Sequence, residues 1–578
     1  MTIQQTFDLA SQHHRSGRLQ EAEALYRQVL AEQPNHAQSL HMLGMLAAQV
    51  GQPNAAIDLM RRSLALNPSW AEGHFNLGNV LWQAGRVGEA VVTLQQASQL
   101  APNSSAAQNS LGLALAAAGQ WDAAIDAYQR ATALRPDSVV SMINLAAALR
   151  TVGRAQEAVE VLRRAQSIAP DSTAADDLLL TLHYLPGITG RQLLDEHRRW
   201  GQKLEKSVRP LAQLPHRDPA LPRRLRIGYV SQDLVAHPAG RFLLPLLENH
   251  DRSAVEIFCY SNVIRPDFMT ARFQTLAGTW RDIAKLSDEQ AADQVRADQI
   301  DILVDLSLHT AGNRLGIFAR KPAPIQATWL GYPGTTGLTR IDYRLTDPYL
   351  DPADQEENYV ERTMRLPHCF WCYQPPQIPV EVNPLPALSR GFVTFASFNN
   401  FTKVNTDVLQ LWARIMAAVP NSRLLLHTHP GSHQNAVRET LALGGVDAAR
   451  IEFFGFLPTD QFLRLHQQAD IALDPFPFNG GMTTCDSLWM GIPVVSLAGR
   501  TAVGRSGLSI LSNAGLPELV AQTQEQYARI AIALTVDLPK LSQMRTTLRS
   551  RLVQSALTDA KRSASDMESA FRMMIGTP

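Results

Sequence analysis

Five prolines, Pro34, Pro68, Pro102, Pro136 and Pro170, follow one another at intervals of 34 residues. Gly17, Gly51, Gly85, Gly119 and Gly153 keep the same interval, as do Ala22, Ala56, Ala90, Ala124 and Ala158. So do Leu9, Leu43, Leu77, Leu111 and Leu145, each followed by alanine or glycine. A chain with such a period is committed to copies of one short supersecondary unit. The small residue after each leucine suits a place where two helices cross closely. The glycine supplies the turn out of the first helix, and the proline stops the second. The spacing therefore predicts five helix–turn–helix units over residues 1–170. Stacked, they bury one another's apolar faces and leave a concave surface for holding another protein.

The terminal unit has no neighbour to cover it. Residues 171–205 read as further helix, with Leu178-Leu179-Leu180 and Leu193-Leu194 as apolar faces, and are expected to cap the array. Residues 206–222 carry prolines at 210, 215, 219 and 222 and read as an extended linker. The full 578 residues leave room for further domains with sizeable cores. Lys plus Arg equals Asp plus Glu at 53 each, so no global basic field invites nucleic acid or a membrane surface. The opening Met1-Thr2-Ile3-Gln4-Gln5-Thr6 does not read as a secretion signal, and no apolar run of about 18 residues reads as a membrane span. Four cysteines are too few for a disulfide framework and suit the cytoplasm. Cys369-Phe370-Trp371-Cys372 spells CxxC, but no second pair or histidine set completes a zinc site, and the segment reads as an apolar strand.

From Arg223 the texture changes. Short apolar runs at Leu225–Val230, Val255–Tyr260, Ile300–Leu306, Ile325–Leu330 and Met364–Tyr373 alternate with helical stretches. A second series follows a proline-rich junction near 375–387: Phe392–Phe398, Arg423–His427, Ile451–Phe454, Ile471–Leu473 and Val494–Leu497. This alternation predicts two consecutive doubly wound α/β lobes, over residues 223–385 and 386–578, with ligands beyond the carboxyl ends of the strands. The last helix, about 560–575, is free to pack back across the lobes, though nothing in the sequence demands it.

Candidate chemistry follows from those strand ends. After Leu473 the chain runs Asp474-Pro475-Phe476-Pro477-Phe478-Asn479-Gly480-Gly481-Met482-Thr483-Thr484-Cys485-Asp486. A strand, a glycine-rich turn and hydroxyl residues opening a helix make an anion site from free amides and the positive helix end. Thr483 and Thr484 add hydroxyl donors for a diphosphate, and Asp486 is placed to accept from a ribose diol. Lys403, in the loop Phe398-Asn399-Asn400-Phe401-Thr402-Lys403, is a cation for a departing phosphate or else a surface lysine. In the first lobe His237 and His309 each follow a strand; each is either a cleft-facing group for proton transfer or a hydrogen-bonded structural side chain. The loop ending Gly334-Thr335-Thr336-Gly337 either lies against a sugar or phosphate or simply turns the chain. His427, His429 and His433 match no zinc spacing.

The 34-residue unit resembles a tetratricopeptide repeat. Taken with Gly228-Tyr229-Val230-Ser231, Asp233, His237-Pro238, Lys321 through Gln326, Trp329 through Thr335, Lys403 and Thr483-Thr484 with Asp486, nearly the whole chain resembles the nucleocytoplasmic protein O-GlcNAc transferases and their plant SPINDLY-type relatives, which transfer fucose. The resemblance implies a tetratricopeptide-repeat α-superhelix followed by a GT-B-type glycosyltransferase of two Rossmann-like lobes. It implies inverting transfer of a sugar from a nucleotide donor, UDP-GlcNAc in the O-GlcNAc transferases, to Ser or Thr hydroxyls of a polypeptide lying along the repeats. It places His237 as the base or the histidine that organises the acceptor, Lys403 at the leaving phosphate, Asn400 at the nucleotide, Thr483 at the diphosphate and Asp486 at the ribose. A protein O-fucosyltransferase using GDP-fucose and a non-catalytic scaffold that senses a nucleotide sugar are the alternatives.

Departures from the animal sequences are specific. Gly480-Gly481-Met482-Thr483 stands where they read Gly-His-Thr-Thr, and Thr459 and Phe462 replace a base-contacting lysine and histidine. Asp305 through Thr310 and Thr484 through Leu488 lean towards the SPINDLY-type wording. Of the asparagine ladder expected inside the repeats, Asn76 and Asn144 are present, while Asp8, Met42 and Ser110 fill the other places. No metal or other cofactor is expected, because the helix terminus and Lys403 supply the positive charge.

Overall fold

The computed structural model describes residues 1–212 and 223–576. Its first 168 residues form ten helices, from Ile3–Arg15 to Ala155–Ile168, paired within each 34-residue unit. Gly17, Gly51, Gly85, Gly119 and Gly153 take φ between 73° and 80°, the left-handed region that a tight exit from a helix needs. Each repeat proline lies two residues beyond the end of its helix, where the chain can no longer continue the hydrogen-bond ladder. The small residues sit at the crossings. A Cβ on Gly78 would meet Leu94 Cγ at 2.5 Å, and one on Gly112 would meet the Tyr128 ring at 2.5 Å. Asn76 and Asn144 each donate one repeat back, to His41 Nε2 and Asn109 Oδ1, both at 3.0 Å.

Two further helices follow, Ala174–Leu182 and Gly190–Ser207. The expected linker begins only after Ser207, and its residues 213–222 lie outside the described residues. Most of the remaining chain belongs to a separate compact unit that contains both sheets.

The first lobe is a seven-stranded sheet: β1 (Leu225–Ser231), β2 (Val255–Ser261), β3 (Thr279–Asp282), β4 (Ile302–Asp305), β5 (Ile325–Thr328), β6 (Tyr343–Thr346) and β7 (Arg362–Arg365). Its order is β3-β2-β1-β4-β5-β6-β7, and every pairing is parallel. The second lobe holds β8 (Thr394–Ser397), β9 (Arg423–His427), β10 (Ile451–Phe454), β11 (Ile471–Leu473), β12 (Val494–Leu497) and β13 (Val520–Ala521), ordered β10-β9-β8-β11-β12-β13 and again parallel. Both sheets reverse direction beside their first strand, between β1 and β4 and between β8 and β11. That reversal opens a crevice at the strands' carboxyl ends.

Three short strands, β3, β6 and β13, lack the apolar runs that mark the others. The expected strand at Met364–Tyr373 is corrected: only Arg362–Arg365 pairs, and Cys369 through Tyr373 is buried without regular structure. Pro367 offers no amide to a ladder. The segment's groups bond elsewhere: Phe370 N to Asp347 Oδ2 at 3.0 Å and Tyr373 N to Leu557 O at 2.7 Å. Cys369 and Cys372 are free and buried, which pushes the Cys372 thiol up to about 12. The C-terminal helix Ala560–Gly576 returns to the first lobe, where Glu568 Oε1 accepts from Asp251 N and pairs with His250 Nδ1, both at 2.9 Å. No helix among the described residues is long and apolar enough to cross a membrane.

The repeat crossings tolerate no extra volume. Gly112→Val should lower the stability of the repeat array by about 2 kcal/mol, as overpacking against a filled neighbour does. Gly88→Ala, which meets nothing within 4 Å, should leave it unchanged or slightly raised. Urea denaturation followed by circular dichroism compares the two variants.

Candidate functional site

The second-lobe half of the site is a polar knot at the switch point between β8 and β11. After β8 the backbone turns through Asn399 and Asn400 into a single turn of 3-10 helix, Phe401–Lys403. Asn400 caps that turn, its Oδ1 accepting from Thr402 N at 3.0 Å and Thr402 Oγ1 at 2.9 Å, and is itself exposed. Lys403 folds back: Nζ donates to Asn479 O at 2.6 Å and to Asn399 Oδ1 at 3.3 Å, and lies 4.7 Å from the centre of the Phe478 ring. All of these partners are neutral, and among the described residues no carboxylate lies within ion-pair distance of the ammonium. Burial therefore holds the Lys403 pKa down to about 8, against the pull of the Asp474 charge.

Asn399 joins the knot together. Its Oδ1 also accepts from Thr483 Oγ1 at 3.0 Å, and its Nδ2 donates to Asp474 Oδ1 at 3.3 Å. Asp474 ends β11, is buried, and is pushed up to about 6 by that burial, with hydrogen bonds from Ser496 Oγ and Gly480 N opposing the shift. It pins the glycine-rich turn that leads into the helix Met482–Trp489. A Cβ on Gly480 would lie 2.5 Å from Thr484 Oγ1 and 2.7 Å from Thr483 Oγ1, so only glycine leaves both hydroxyls clear. Thr484 Oγ1 is buried and has no hydrogen-bond partner among the described residues. A cation held by neutral oxygens, two hydroxyls and the first amides of a helix thus converge on one place, which suits a diphosphate.

Asp486 lies one turn into this helix as expected, but its carboxylate is already engaged. Arg241 grips it from the first lobe, Nη1 to Oδ2 at 3.0 Å and Nη2 to Oδ1 at 2.8 Å, and Tyr373 Oη donates to Oδ1 at 2.7 Å. Any ribose contact would have to share those oxygens.

On the first-lobe side, His237 caps the helix Pro238–Asn249. Its Nδ1 accepts from Ala239 N at 3.3 Å and lies 3.6 Å from Asp233 Oδ1, leaving Nε2 without a partner among the described residues. The side chain is half-exposed, while burial raises the Asp233 carboxyl and the neighbouring His237 charge opposes that shift. One helical turn separates His237 from Arg241, and one separates Asp486 from Thr483. The Arg241–Asp486 pair and the Thr483–Asn399–Lys403 chain therefore link the helix that His237 caps to the turn that carries Lys403.

For His309, Gly334 and Thr335 the sequence left a ligand-facing and a structural reading open, and each has fixed partners within the protein. His309 does not face the crevice: it is buried, with Nδ1 2.8 Å from Asp176 Oδ1 and Nε2 2.9 Å from Thr336 O. It clamps the helix Ala174–Leu182 to the lobe. Thr335 is equally committed, donating through Oγ1 to Glu361 Oε2 at 2.6 Å, and Gly334 is buried with its carbonyl accepting from Arg344 Nε at 3.1 Å. That loop turns the chain and is fixed by Glu361 and Arg344. Sequence reasoning also missed Arg241, Tyr373, Asn399 and Asp474. Only Arg241 carried a readable signal, its place four residues after His237.

Two parallel doubly wound lobes with a lysine and a helix terminus at the second switch point have the architecture of GT-B-type glycosyltransferases. A family model described as glycosyl transferase family 41 matches residues 203–378 and 373–567, and one for tetratricopeptide repeats matches 2–69, 71–137 and 103–171. The chain belongs to glycosyl transferase family 41. It is 40% identical over 413 residues to the probable UDP-N-acetylglucosamine–peptide N-acetylglucosaminyltransferase SPINDLY of Arabidopsis thaliana, covering 69% of this chain and 45% of that protein. The UDP-N-acetylglucosamine–peptide N-acetylglucosaminyltransferase of Caenorhabditis elegans is 26% identical over 468 residues, covering 61% of this chain and 41% of that one. The chain thus spans less than half the length of these curated relatives. Among solved structures, a variant of the Thermobaculum terrenum O-GlcNAc transferase superposes with a TM-score of 0.81 at 36% identity, covering 87% of this chain and 97% of that one.

The cross-lobe pair gives a direct expectation. Arg241→Ala leaves Asp486 buried with Tyr373 alone and should cost on the order of 3 kcal/mol, read as a fall in thermal midpoint. Combining Arg241→Met with Asp486→Leu should recover most of that loss.

Proposed function

We propose that this protein is an inverting glycosyltransferase that moves N-acetylglucosamine from UDP-GlcNAc to Ser or Thr hydroxyls of polypeptides. The observation that carries the reading is Lys403, a cation held among neutral oxygens beside Thr483, Thr484 and the start of the helix Met482–Trp489. The donor's diphosphate lies on those groups. The acceptor hydroxyl attacks the anomeric carbon from the face opposite the diphosphate. The new C–O bond forms as the old one breaks, and its electron pair passes to the departing phosphate oxygen, where Lys403 stabilises it. The acceptor proton goes to His237 Nε2 or to a phosphate oxygen. One displacement without a protein nucleophile inverts the centre, and no metal is invoked because the lysine and helix amides supply the charge. Asn400, at the rim, meets the nucleotide. The repeats hold the polypeptide acceptor, and free buried cysteines agree with a cytoplasmic setting.

A second reading, transfer of fucose from GDP-fucose, is favoured by one observation. The helix Thr459–His466 presents Phe462, which packs edge-on to Phe398 at 5.8 Å, where the animal O-GlcNAc transferases place a polar base contact. Calorimetric titration with UDP, UDP-GlcNAc, GDP and GDP-fucose separates the readings. Tight uridine-nucleotide binding supports the first, guanosine preference moves the assignment to the second, and no binding by either overturns both.

Lys403→Ala should cut turnover on the order of a hundredfold, the usual cost of losing a contact made to transition-state charge. A pKa of about 8 gives a signed pH dependence. The cation is present below that value and lost above it, so kcat/KM should fall above about pH 8 in the wild type. Lys403→Ala should lack that limb in steady-state rates across the same range.

A further inference from the structure

A cavity of about 380 Å³ in the catalytic unit has a lining without a single large apolar side chain. It is walled by three separate parts of the chain: the start of the helix Gly190–Ser207, the first-lobe segment around Glu357 and Asn358, and the second-lobe loop Gly499–Arg505. Three arginines line it, Arg191, Arg500 and Arg505, with the carboxylate of Glu357, and Arg191 is paired with Asp195 at 3.3 Å. Arg505 donates to carbonyls, Nε to Tyr349 O at 2.9 Å and Nη1 to Gly499 O at 3.4 Å, and burial lowers its pKa below the ordinary arginine value against the pull of the Asp351 and Asp354 charges. Arg500 is exposed and, like Glu357, makes no ion pair among the described residues. Two backbone amides add to this excess of donors. Thr189 and Gln192 satisfy each other's backbone N–H in a capping box, which leaves those of Gly190 and Arg191 without an intrahelical acceptor. A Cβ on Gly190 would lie 2.6 Å from the Asn358 side chain, so the backbone itself forms that wall.

The cavity adjoins the donor loop. Val503, in the chain between the lining residues Arg500 and Arg505, accepts through its carbonyl from Asn479 N at 3.1 Å, and Asn479 O is the carbonyl that holds Lys403. We propose that this cavity binds an acidic stretch of the polypeptide acceptor, a carboxylate side chain meeting the arginines while its main chain meets Glu357, Asn358 and the Gly190 and Arg191 amides. This rests on the acceptor being a polypeptide. The mixture of signs selects the occupant: a free inorganic anion gains nothing from Glu357, whereas a peptide carries N–H donors for it beside its carboxylates. Because both lobes and the capping helix contribute walls, the same contact favours the arrangement of lobes in which the acceptor reacts.

The test uses the full-length protein and fluorescently labelled short peptides. Each carries one central Ser, flanked by Asp and Glu, by Asn and Gln, or by Lys. Fluorescence anisotropy reads binding at low and moderate salt in the presence of UDP. Wild type should prefer the acidic flank by roughly fivefold, the scale of one accessible charge contact. Arg500→Glu should abolish or invert that preference in favour of the Lys flank while leaving UDP affinity unchanged. Arg500 is exposed, so the substitution leaves the core intact. Equal binding of all three peptides overturns the proposal, as does a preference that Arg500→Glu does not alter. Competition by inorganic phosphate without any preference among the peptides assigns the cavity to a free anion and overturns it too. Failure of every peptide to accept sugar, with the charge preference intact, would count against the glycosyl-transfer reading and not against this site.

Discussion

A buried positive charge with no negative partner is an unstable thing to build, and this fold is organised around one. Lys403 is held by a carbonyl and a side-chain amide oxygen, neither of which cancels its charge. The nearest carboxylate of the knot, Asp474, is occupied with Gly480, Ser496 and Asn399. Every element around the second switch point contributes to that arrangement. The end of β8 delivers Asn399, the end of β11 delivers Asp474, and the glycine-rich turn gives up side chains so that two threonine hydroxyls stand clear. Such a charge is costly in the free protein and favourable only when an anion arrives, which is the differential a transferase needs.

The Arg241–Asp486 pair plays a different part. It joins the helix that His237 caps to the helix that opens with the threonines, so the two helices are tied by one bidentate contact. The acid assigned to the ribose from sequence resemblance is thereby also a fastener between lobes.

Much of this was legible in the sequence, and the failures have a common cause. The repeat period, the strands rich in aliphatic residues and the positions of Lys403, His237 and Thr483 after strand ends follow from local pattern. The strands β3 and β6 were hidden because they carry Trp-Arg and Tyr-Arg pairs, and the buried Arg344 is paired with Asp351, seven residues on. His309, Gly334 and Thr335 were legible as residue types but not as roles. The partner of His309 is Asp176, far back in the chain, and that of Thr335 is Glu361. A polar side chain after a strand faces a ligand or a distant element, and only the tertiary structure says which. The place of Asp486, one turn into its helix, was legible from the sequence, while its partners Arg241 and Tyr373 are 245 and 113 residues away.

The C-terminal helix Ala560–Gly576 belongs in sequence to the second lobe and in packing to the first, where Glu568 meets His250 and Asp251. A ribosome delivers the first sheet nearly 200 residues before the helix that covers its flank. During that interval the face around His250 and the helix Pro238–Asn249 stays wet. The first lobe therefore completes its packing only after the strands of the second have been made.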